Sequence, residues 1–446
     1  KQSLAIVCSS FKNKSEYNLT KEQVDYISND IKTNDKKFVC INTLSRLVFV
    51  IVVDDKKNHY SMLEAIRKNG ATIADTINAE KRASVCCVNE LSNTDYSLAL
   101  AEGISLANYQ FIKHKPSAKK TANTLKDVSV VDSKISSQHI SNLSIAIDAT
   151  LKARDLVNEP VNTLNATDLA NAFKAMGKNA GFKVEVLNKT KIKQLKMGGL
   201  LAVNQGSVDE PTFSIMEYKP KNAKNKKPYV LVGKGVVYDT GGLSLKPTPN
   251  SMDLMKCDMA GAAAVGCTMY AIAKAKLNVH VIALVPATDN RPGFNAFAPG
   301  DIITMMDGST VEMLNSDAEG RMILADALHY AKRFKPEMAI ELSTLTGAAA
   351  AAIGQYGIVS MGTATDEQKT KLTVSGLRMH ERLAEFPFWD EYDELIKSDI
   401  ADQKNLGGPY GGAITAGKFL VKYTDYPYMH FDIAGPAFVT AKDSYR

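Results

Sequence analysis

Short apolar runs alternate with amphipathic segments along this chain, and such alternation is typical of an α/β layer fold. In the first part of the chain, the apolar runs predict strands at residues 4–8, 47–53 and 83–88. Apolar residues at helical spacing predict helices at residues 21–31, 61–68 and 94–108. The first part is therefore expected to form a small α/β domain.

A polar stretch rich in Lys, Ser, Thr and Asp follows, and its composition is typical of a linker. We place this linker at residues 113–142, between an N-terminal domain at 1–112 and a larger domain at 143–446. In the larger domain the pattern predicts helices at 143–156, 260–275 and 323–334, and strands at 182–187, 213–218, 229–233, 279–285 and 338–342. The expected architecture is a second α/β domain with a central mixed sheet flanked by helices.

Composition narrows the class of protein. The chain has 446 residues, of which 45% are hydrophobic and 23% charged. This composition is that of a globular protein, and the length predicts two or three domains. Its apolar runs are far shorter than the roughly 20 residues of a membrane helix, so we predict no membrane partner. Six cysteines without C-x-x-C spacing favour thiols in a reducing compartment, which predicts a cytoplasmic location.

The net charge of +6 permits nucleic-acid binding but does not predict it. The densest basic runs, at residues 113–120 and 219–227, lack the interleaved aromatic residues of a nucleic-acid surface. We interpret both runs as solvated loops.

Two segments carry the residues that indicate chemistry. The predicted strand at 229–233 runs into a Gly-rich turn with Lys234 and Asp239, and Lys246 and Asp258 follow. Sites in α/β sheets form beyond the carboxyl ends of strands, where these residues are expected to lie. In the second segment, NSDAEGR at 315–321, an extended backbone would place the carboxylates of Asp317 and Glu319 on one side.

These carboxylates predict a site for hard divalent cations, which prefer several oxygen ligands. The seven histidines are scattered without H-E-x-x-H spacing, so a histidine-based zinc site is not supported. The GKG sequence at 233–235 lacks the spacing of a phosphate-binding Walker A loop. The chain also lacks the G-x-S-x-G motif of serine hydrolases.

VGKGVVYDTGGLSLKP at 232–247 and NSDAEGR at 315–321 resemble the two signature stretches of the cytosolic leucyl aminopeptidase family. Further similar stretches follow in the family order: ARDLVNEPVN at 153–162, PGFNAFAPGDI at 292–302, STLTGA at 343–348, SDIADQKNLGG at 398–408 and HFDIAG at 430–435. The resemblance covers most of the chain after residue 143. It implies a metallo-exopeptidase that releases N-terminal residues from peptides with a free N-terminus, with the catalytic domain at 143–446.

The resemblance also implies roles for individual residues. Lys234 and Asp258 would bind one metal ion, Asp317 would bind the other, and Asp239 and Glu319 would bridge both. The ions would be zinc or manganese, although such sites also accept cobalt or magnesium. A metal-ligating lysine must be unprotonated, so Lys234 is expected to be buried; a salt bridge to a carboxylate of the same cluster is the alternative.

The same resemblance implies two catalytic side chains and a substrate pocket. Lys246 would stabilise the developing oxyanion, and Arg321 would hold a bicarbonate ion that shuttles the proton, while the two metals would generate a hydroxide from water. The substrate pocket would include Met255, Thr344 and Gly347, with Leu345 lending a backbone amide; it would suit Leu and other apolar side chains.

Family members assemble as hexamers made of two trimers, so the resemblance implies a homohexamer here. Two alternatives stay open: a DNA-binding regulatory member and a catalytically silent member of the same family.

Overall fold

The computed structural model describes residues 2–53, 58–293 and 295–446, which fall into two compact units. The first unit contains residues 1–151, 378–380 and 440–446, and the second contains residues 152–377 and 381–439. The two-domain α/β organisation predicted from the sequence is confirmed. Phe294, in the predicted PGFNAFAPGDI stretch, lies outside the described residues.

A five-stranded sheet with helices forms the first unit. Its elements in chain order are β1 (Ser3–Cys8), α1 (Lys21–Lys32), β2 (Phe38–Asn42), β3 (Leu47–Val52), α2 (His59–Ala79), β4 (Ser84–Asn89), α3 (Asp95–Ala107) and β5 (Asp127–Val131), followed by α4 (Ser137–Asn158), which continues into the second unit. The strand order is β2-β3-β1-β4-β5, with β2 antiparallel to β3 and the other pairs parallel. Strand β1 is buried along its whole length, as expected for a central parallel strand.

The predicted linker at 113–142 is part of this fold. Strand β5 pairs in parallel with β4, and Val128 and Val130 of β5 pack against the hydrophobic core of the unit. Val128 and Val130 alternate along β5 with Asp127, Ser129 and Val131. One face of the strand packs on the core, whereas the other is exposed and mostly polar. The domain boundary therefore differs from the one predicted, and falls at residue 151, inside α4.

The second unit contains a larger mixed sheet. Its strands are β6 (Lys183–Leu187), β7 (Thr212–Tyr218), β8 (Tyr229–Gly233), β9 (Gly235–Asp239), β10 (Val281–Asn290), β11 (Asp301–Thr304), β12 (Thr310–Met313), β13 (Met338–Ser343), β14 (Ile358–Gly362), β15 (Leu383–Glu385), β16 (Gln403–Lys404) and β17 (Tyr428–Asp432). The main sheet has the order β15-β14-β17-β13-β8-β10-β7-β6, with β9 also paired to β10. Strands β13, β8 and β10 are parallel, whereas β7 runs antiparallel to β10. Strands β11, β12 and β16 form a small separate sheet.

Helices accompany this sheet, as predicted. They are α5 (Ala166–Ala180), α6 (Lys189–Gln194), α7 (Gly198–Asn204), α8 (Ala260–Lys274), α9 (Gly320–Ala331), α10 (Gly347–Ile353), α11 (Asp366–Met379), α12 (Glu391–Glu394) and α13 (Gly412–Val421). The small residues of α8 allow a close approach to the sheet, because a Cβ at Gly261 would lie 2.0 Å from the carbonyl oxygen of Leu342. This approach brings the start of α8 to the ends of β8 and β13.

The expectations about membrane helices and about the cysteines can be compared with the structure. Among the described residues, no helix is both long enough and apolar enough to cross a bilayer. Cys8, Cys87, Cys257 and Cys267 are buried thiols.

Candidate active site

The predicted site residues come together at the carboxyl edge of the parallel strands. Lys234 lies between β8 and β9, Asp239 ends β9, and Thr344 follows β13 directly. Asp258 precedes α8, and Glu319 is the N-cap residue of α9. Four separate stretches of the second unit therefore supply one cluster, at the position that the strand-end rule predicts.

Lys234 is the buried centre of this cluster, with 3% of its surface exposed. Its Nζ lies 2.8 Å from Oδ1 of Asp258 and 2.9 Å from Oε1 of Glu319. It also donates a hydrogen bond to the main-chain carbonyl of Thr344 at 3.1 Å. The predicted burial is thus observed, and the structure shows the salt bridges that the sequence left open as the alternative to a metal–lysine bond.

Glycine at position 320 makes room for this lysine. A Cβ on Gly320 would lie 2.5 Å from Cε of Lys234 and 2.8 Å from its Nζ. The first turn of α9 can approach the lysine only because this position carries no side chain.

Lys246 forms a second, less buried set of ion pairs. Its Nζ lies 3.0 Å from Oδ2 of Asp239 and 2.5 Å from Oδ1 of Asp317. The Lys246 side chain is 16% exposed and that of Asp317 is 32% exposed, so this side of the cluster faces the solvent. The cluster has a closed end at Lys234 and an accessible end at Lys246.

The donor set fits a divalent cation. Carboxylate oxygens of Asp239, Asp258 and Glu319 lie within 4.8 Å of one another, and all three residues are buried. Oδ2 of Asp258 and Oε2 of Glu319 are buried oxygens without a hydrogen-bond donor among the described residues. Buried polar atoms normally have a partner, so these two oxygens are oriented toward a group that protein donors do not supply. Asp317 lies outside this group of three and is connected to it through Lys246.

The backbone around Asp317 differs from the extended conformation considered from the sequence. Residues 316–317 form a turn, and Glu319 has helical backbone angles. The side chain of Asn315 accepts a hydrogen bond from the amide of Asp317 at 2.8 Å, which stabilises this turn. The two carboxylates still reach the cluster, but they approach different lysines.

Burial and mutual repulsion perturb the carboxyl groups. Burial, together with the nearby Asp239 carboxylate, raises the pKa of Glu319 above its ordinary value despite the Lys234 ammonium. Burial lowers the pKa of Lys234, but the carboxylates of Asp258 and Glu319 more than offset this effect and leave its pKa above the ordinary value. Four carboxylates around two ammonium groups thus favour any additional positive charge.

Arg321 lies in the first turn of α9, with 5% of its surface exposed. Its Nη1 donates to the main-chain carbonyl of Asn405 at 2.8 Å, and its buried Nε has no acceptor among the described residues. Burial lowers the pKa of the guanidinium to about 10, so it remains charged at neutral pH. A fixed guanidinium with an unused N–H is suited to hold a small planar anion.

The four predicted substrate-binding residues occupy two neighbouring segments. Met255 lies half-buried in the short 3-10 helix at Met252–Cys257, and Thr344, Leu345 and Gly347 follow β13. The hydroxyl of Thr344 donates to Oδ1 of Asp258 at 2.7 Å, which connects this segment to the carboxylate cluster. The amide of Leu345 already donates to Oδ1 of Asp432 at 3.2 Å, so this amide is engaged within the protein rather than directed to a ligand.

Three buried residues that the sequence reasoning missed form hydrogen bonds to the segments that carry the site residues. Asp432 accepts hydrogen bonds from the amides of Leu345 and Thr346 and from the Thr346 hydroxyl. Asn405 accepts from the amides of Leu314 and Asn315, and Asn290 donates to Asp239. Asn290 ends β10, which is parallel to β8, and Asp432 ends β17, which is parallel to β13. The strand-end rule could have found both residues, had β10 been predicted at full length and had β17 been predicted.

The chain is similar to known proteins in both sequence and fold. The family model described as the cytosol aminopeptidase family, catalytic domain, matches residues 151–446. A probable cytosol aminopeptidase of Chlorobaculum parvum is 54% identical over 291 residues, which are 65% of this chain and 57% of that protein. A probable cytosol aminopeptidase of Chloroherpeton thalassium is 44% identical over 419 residues, which are 88% of this chain and 81% of that protein. The chain thus spans little more than half the length of the Chlorobaculum relative that it matches.

Two similar solved structures cover nearly the whole chain. A mutant of tomato leucine aminopeptidase has a TM-score of 0.88 and 26% sequence identity, with 99% of this chain and 90% of that chain covered. The bottromycin maturation enzyme BotP in complex with Mn has a TM-score of 0.85 and 26% identity, with 98% and 93% covered.

Proposed function

The chain belongs to the cytosol aminopeptidase family, and from this premise we propose that it is a metal-dependent aminopeptidase that releases N-terminal residues from peptides. The observation that carries the proposal is the buried group of Asp239, Asp258 and Glu319, whose carboxylate oxygens lie within 4.8 Å of one another. Oδ2 of Asp258 and Oε2 of Glu319, which have no hydrogen-bond donor in the part of the chain that the structure describes, support a cation as their partner. A family member that was catalytically silent would not need this arrangement.

Two divalent ions are proposed at this cluster. Lys234 and Asp258 would hold one ion and Asp317 the other, with Asp239 and Glu319 between them. Lys234 would have to give up its proton, because an ammonium group has no lone pair for a metal. When bound, the ions would activate water and polarise the scissile carbonyl. Because BotP was solved in complex with Mn, manganese is the first ion to test, followed by zinc, cobalt and magnesium.

The protein side chains have complementary tasks in this proposal. Lys246 lies at the accessible end of the cluster, where its ammonium can neutralise negative charge on the substrate oxygen. Arg321 would hold a bicarbonate ion as the proton-transfer group, and its Nε–H, which has no acceptor within the described residues, supports such an anion. The free amine of the substrate would be recognised in its neutral form, in which its nitrogen lone pair can act as a ligand of one of the ions.

Specificity for apolar side chains is proposed to come from the segments with Met255 and Thr344. Gly347 is exposed, and a Cβ at this position would meet no atom within 4 Å, so space is available beside this glycine. Leu and other apolar residues are therefore the expected N-terminal residues. The amide of Leu345 could contribute only by exchanging its bond to Asp432.

The experiment that tests the proposal is hydrolysis of leucine p-nitroanilide by metal-free, manganese-loaded and zinc-loaded protein. We expect release only with metal, and no release from the N-acetylated substrate, which lacks the free amine. Asp317→Ala should abolish activity. Asp425→Ala is the matched control, because the Asp425 side chain is 64% exposed and its only described ion pair, to Lys332, is 4.0 Å long. Absence of release under every metal loading would contradict the proposal and favour the silent or DNA-binding alternatives.

Assembly and location are part of the same proposal. We propose a homohexamer of two trimers, which light scattering would contradict by showing a stable monomer at working concentration. The names of the relatives support a cytosolic location, in agreement with the cysteine pattern. A fall in DNA affinity with rising salt, at a defined DNA sequence, would favour the DNA-binding alternative.

A further inference from the structure

Asn290 is a fully buried residue between the two segments that carry the carboxylates. It ends strand β10, and its register partner on β9 is Asp239. Its main-chain oxygen accepts hydrogen bonds from the amide of Thr240 at 3.1 Å and from the Thr240 hydroxyl at 2.8 Å. The backbone of Asn290 is therefore fixed at the turn that follows Asp239.

The side-chain amide of Asn290 connects both segments. Its Nδ2 donates to Oδ1 of Asp239 at 2.8 Å and to the main-chain oxygen of Ser316 at 2.9 Å. Both partners are acceptors, so only the amide nitrogen can face them. The two hydrogens of a single NH₂ group thus join Asp239 to the residue that precedes Asp317.

This contact also determines which oxygen of Asp239 is free. Oδ1 of Asp239 accepts two hydrogen bonds, from Asn290 and from the amide of Gly241 at 2.8 Å. Oδ2 faces the Lys246 ammonium at 3.0 Å. A carboxylate oxygen has two lone pairs, so Oδ1 is saturated and Oδ2 is the oxygen that remains for a cation.

A neutral donor is needed at this position. A carboxylate at position 290 would add a fifth negative group to the cluster, and an apolar residue would leave the Ser316 carbonyl without its partner. The turn that follows Asp239 leaves little space for a different group, because a Cβ at Gly242 would lie 2.9 Å from Oδ1 of Asn290.

We propose that Asn290 is a positioning residue for metal binding. It holds Asp239 with Oδ2 toward the ion, and it holds the Ser316 backbone so that Asp317 and Glu319 are presented to the same cluster. The inference rests on the proposed metal site. Partners that orient metal ligands in this way typically change metal affinity about 10–100-fold when removed.

The test is titration of metal-free protein with Mn²⁺, with free Mn²⁺ measured by its electron paramagnetic resonance signal. Asn290→Leu keeps the approximate shape of the side chain and removes the donor; we expect binding about 10–100-fold weaker than in the wild type. Asn290→Ser keeps one donor and should give an intermediate loss. The serine variant also keeps the test decisive if the leucine variant does not fold.

Asn204→Leu is the matched control. Asn204 is also buried, and its Nδ2 also donates two hydrogen bonds, to the carbonyl of Asp209 and to the Thr288 hydroxyl. Among the described residues it makes no hydrogen bond to the site carboxylates, so its variant should lose thermal stability without losing Mn²⁺ affinity.

The outcomes separate this inference from the proposed function. Wild-type protein that binds no Mn²⁺ would remove the metal site itself. Wild-type binding with unchanged affinity in both Asn290 variants would overturn only the role of Asn290. An equal loss of affinity in Asn204→Leu would also overturn it, because general destabilisation would then explain the effect.

Discussion

Replacing Gly320 with alanine has two opposite effects on the free energy of unfolding. Gly320 is the first residue of α9, and alanine in place of glycine stabilises a helix by about 0.5–1 kcal/mol. The new Cβ, however, would lie 2.5 Å from Cε of Lys234. Carbon atoms in good contact are about 3.5–4.0 Å apart, so the lysine would have to move by about 1 Å.

Lys234 has little freedom to move. Its Nζ is held by Asp258 at 2.8 Å and by Glu319 at 2.9 Å, and its surface is 3% exposed. Forcing additional atoms into a packed interior costs about 1–3 kcal/mol. The expected result is that Gly320→Ala lowers the free energy of unfolding by about 1 kcal/mol, within a range of about 0–2.5 kcal/mol, once the helical gain is subtracted.

Gly347→Ala is the matched comparison, because Gly347 is also the first residue of a helix, α10, and a Cβ there would meet nothing within 4 Å. This variant should be more stable than wild type by about 0.5–1 kcal/mol. Urea unfolding of the metal-free proteins, followed by circular dichroism and by fluorescence of the single tryptophan, Trp389, measures both midpoints. A Gly320→Ala midpoint at or above that of wild type would refute the steric reasoning.

Two other predictions concern metal and pH. Excess Mn²⁺ should raise the melting temperature of wild-type protein, since an ion at about 100 times its Kd stabilises the folded state by about 2.7 kcal/mol. Asp258→Asn should lose most of this increase in the same melts. An equal increase in the variant would contradict the assignment of Asp258 as a metal ligand. In the first unit, burial would raise the pKa of Asp132, but hydrogen bonds from Ser97, the Lys134 amide and Asn89 hold it below the ordinary 3.8. Because the folded pKa is the lower one, this stabilisation is present above pH 3.8 and is lost as the pH falls through the folded pKa. Asp132→Asn should therefore lose less stability than wild type between pH 5 and pH 3 in thermal melts, and an equal loss would count against the three hydrogen bonds.

Apolar patterning predicted strands β1, β3 and β4 of the first sheet and β6, β7, β8, β10 and β13 of the second, but not their other strands. It also failed where glycine has a packing role. Helix α2 was predicted to end near residue 68, whereas it continues to Ala79. Its glycine, Gly70, suggests an interruption in the sequence. In the structure a Cβ there would lie 2.8 Å from the amide nitrogen of Ile104, so the glycine permits close contact with α3 instead. A single sequence does not distinguish a helix-ending glycine from a contact glycine.

The site, too, could be predicted from the sequence only in part. The predicted metal ligands lie in one cluster because strand order brings the ends of β8, β9 and β13 together. The pairing of Lys246 with Asp317 depends on two loops, whose conformations follow from local hydrogen bonds such as that from the Asp317 amide to Asn315. Asn290 was missed because the predicted strand ended at residue 285, five residues before the end of β10.

The order of strands in the main sheet has a consequence for synthesis of the chain on the ribosome. Strand β8 lies between β10 and β13, and β13 in turn pairs with β17, the last strand of the sheet in chain order. A nascent chain that has reached only Lys335 therefore exposes one edge of β8, and an unpaired edge invites association with other strands. The carbonyl of Asn405, which binds Arg321, emerges later still. Neither the sheet nor the site can be completed until almost the whole second unit has left the ribosome, so this unit must fold late and as one body.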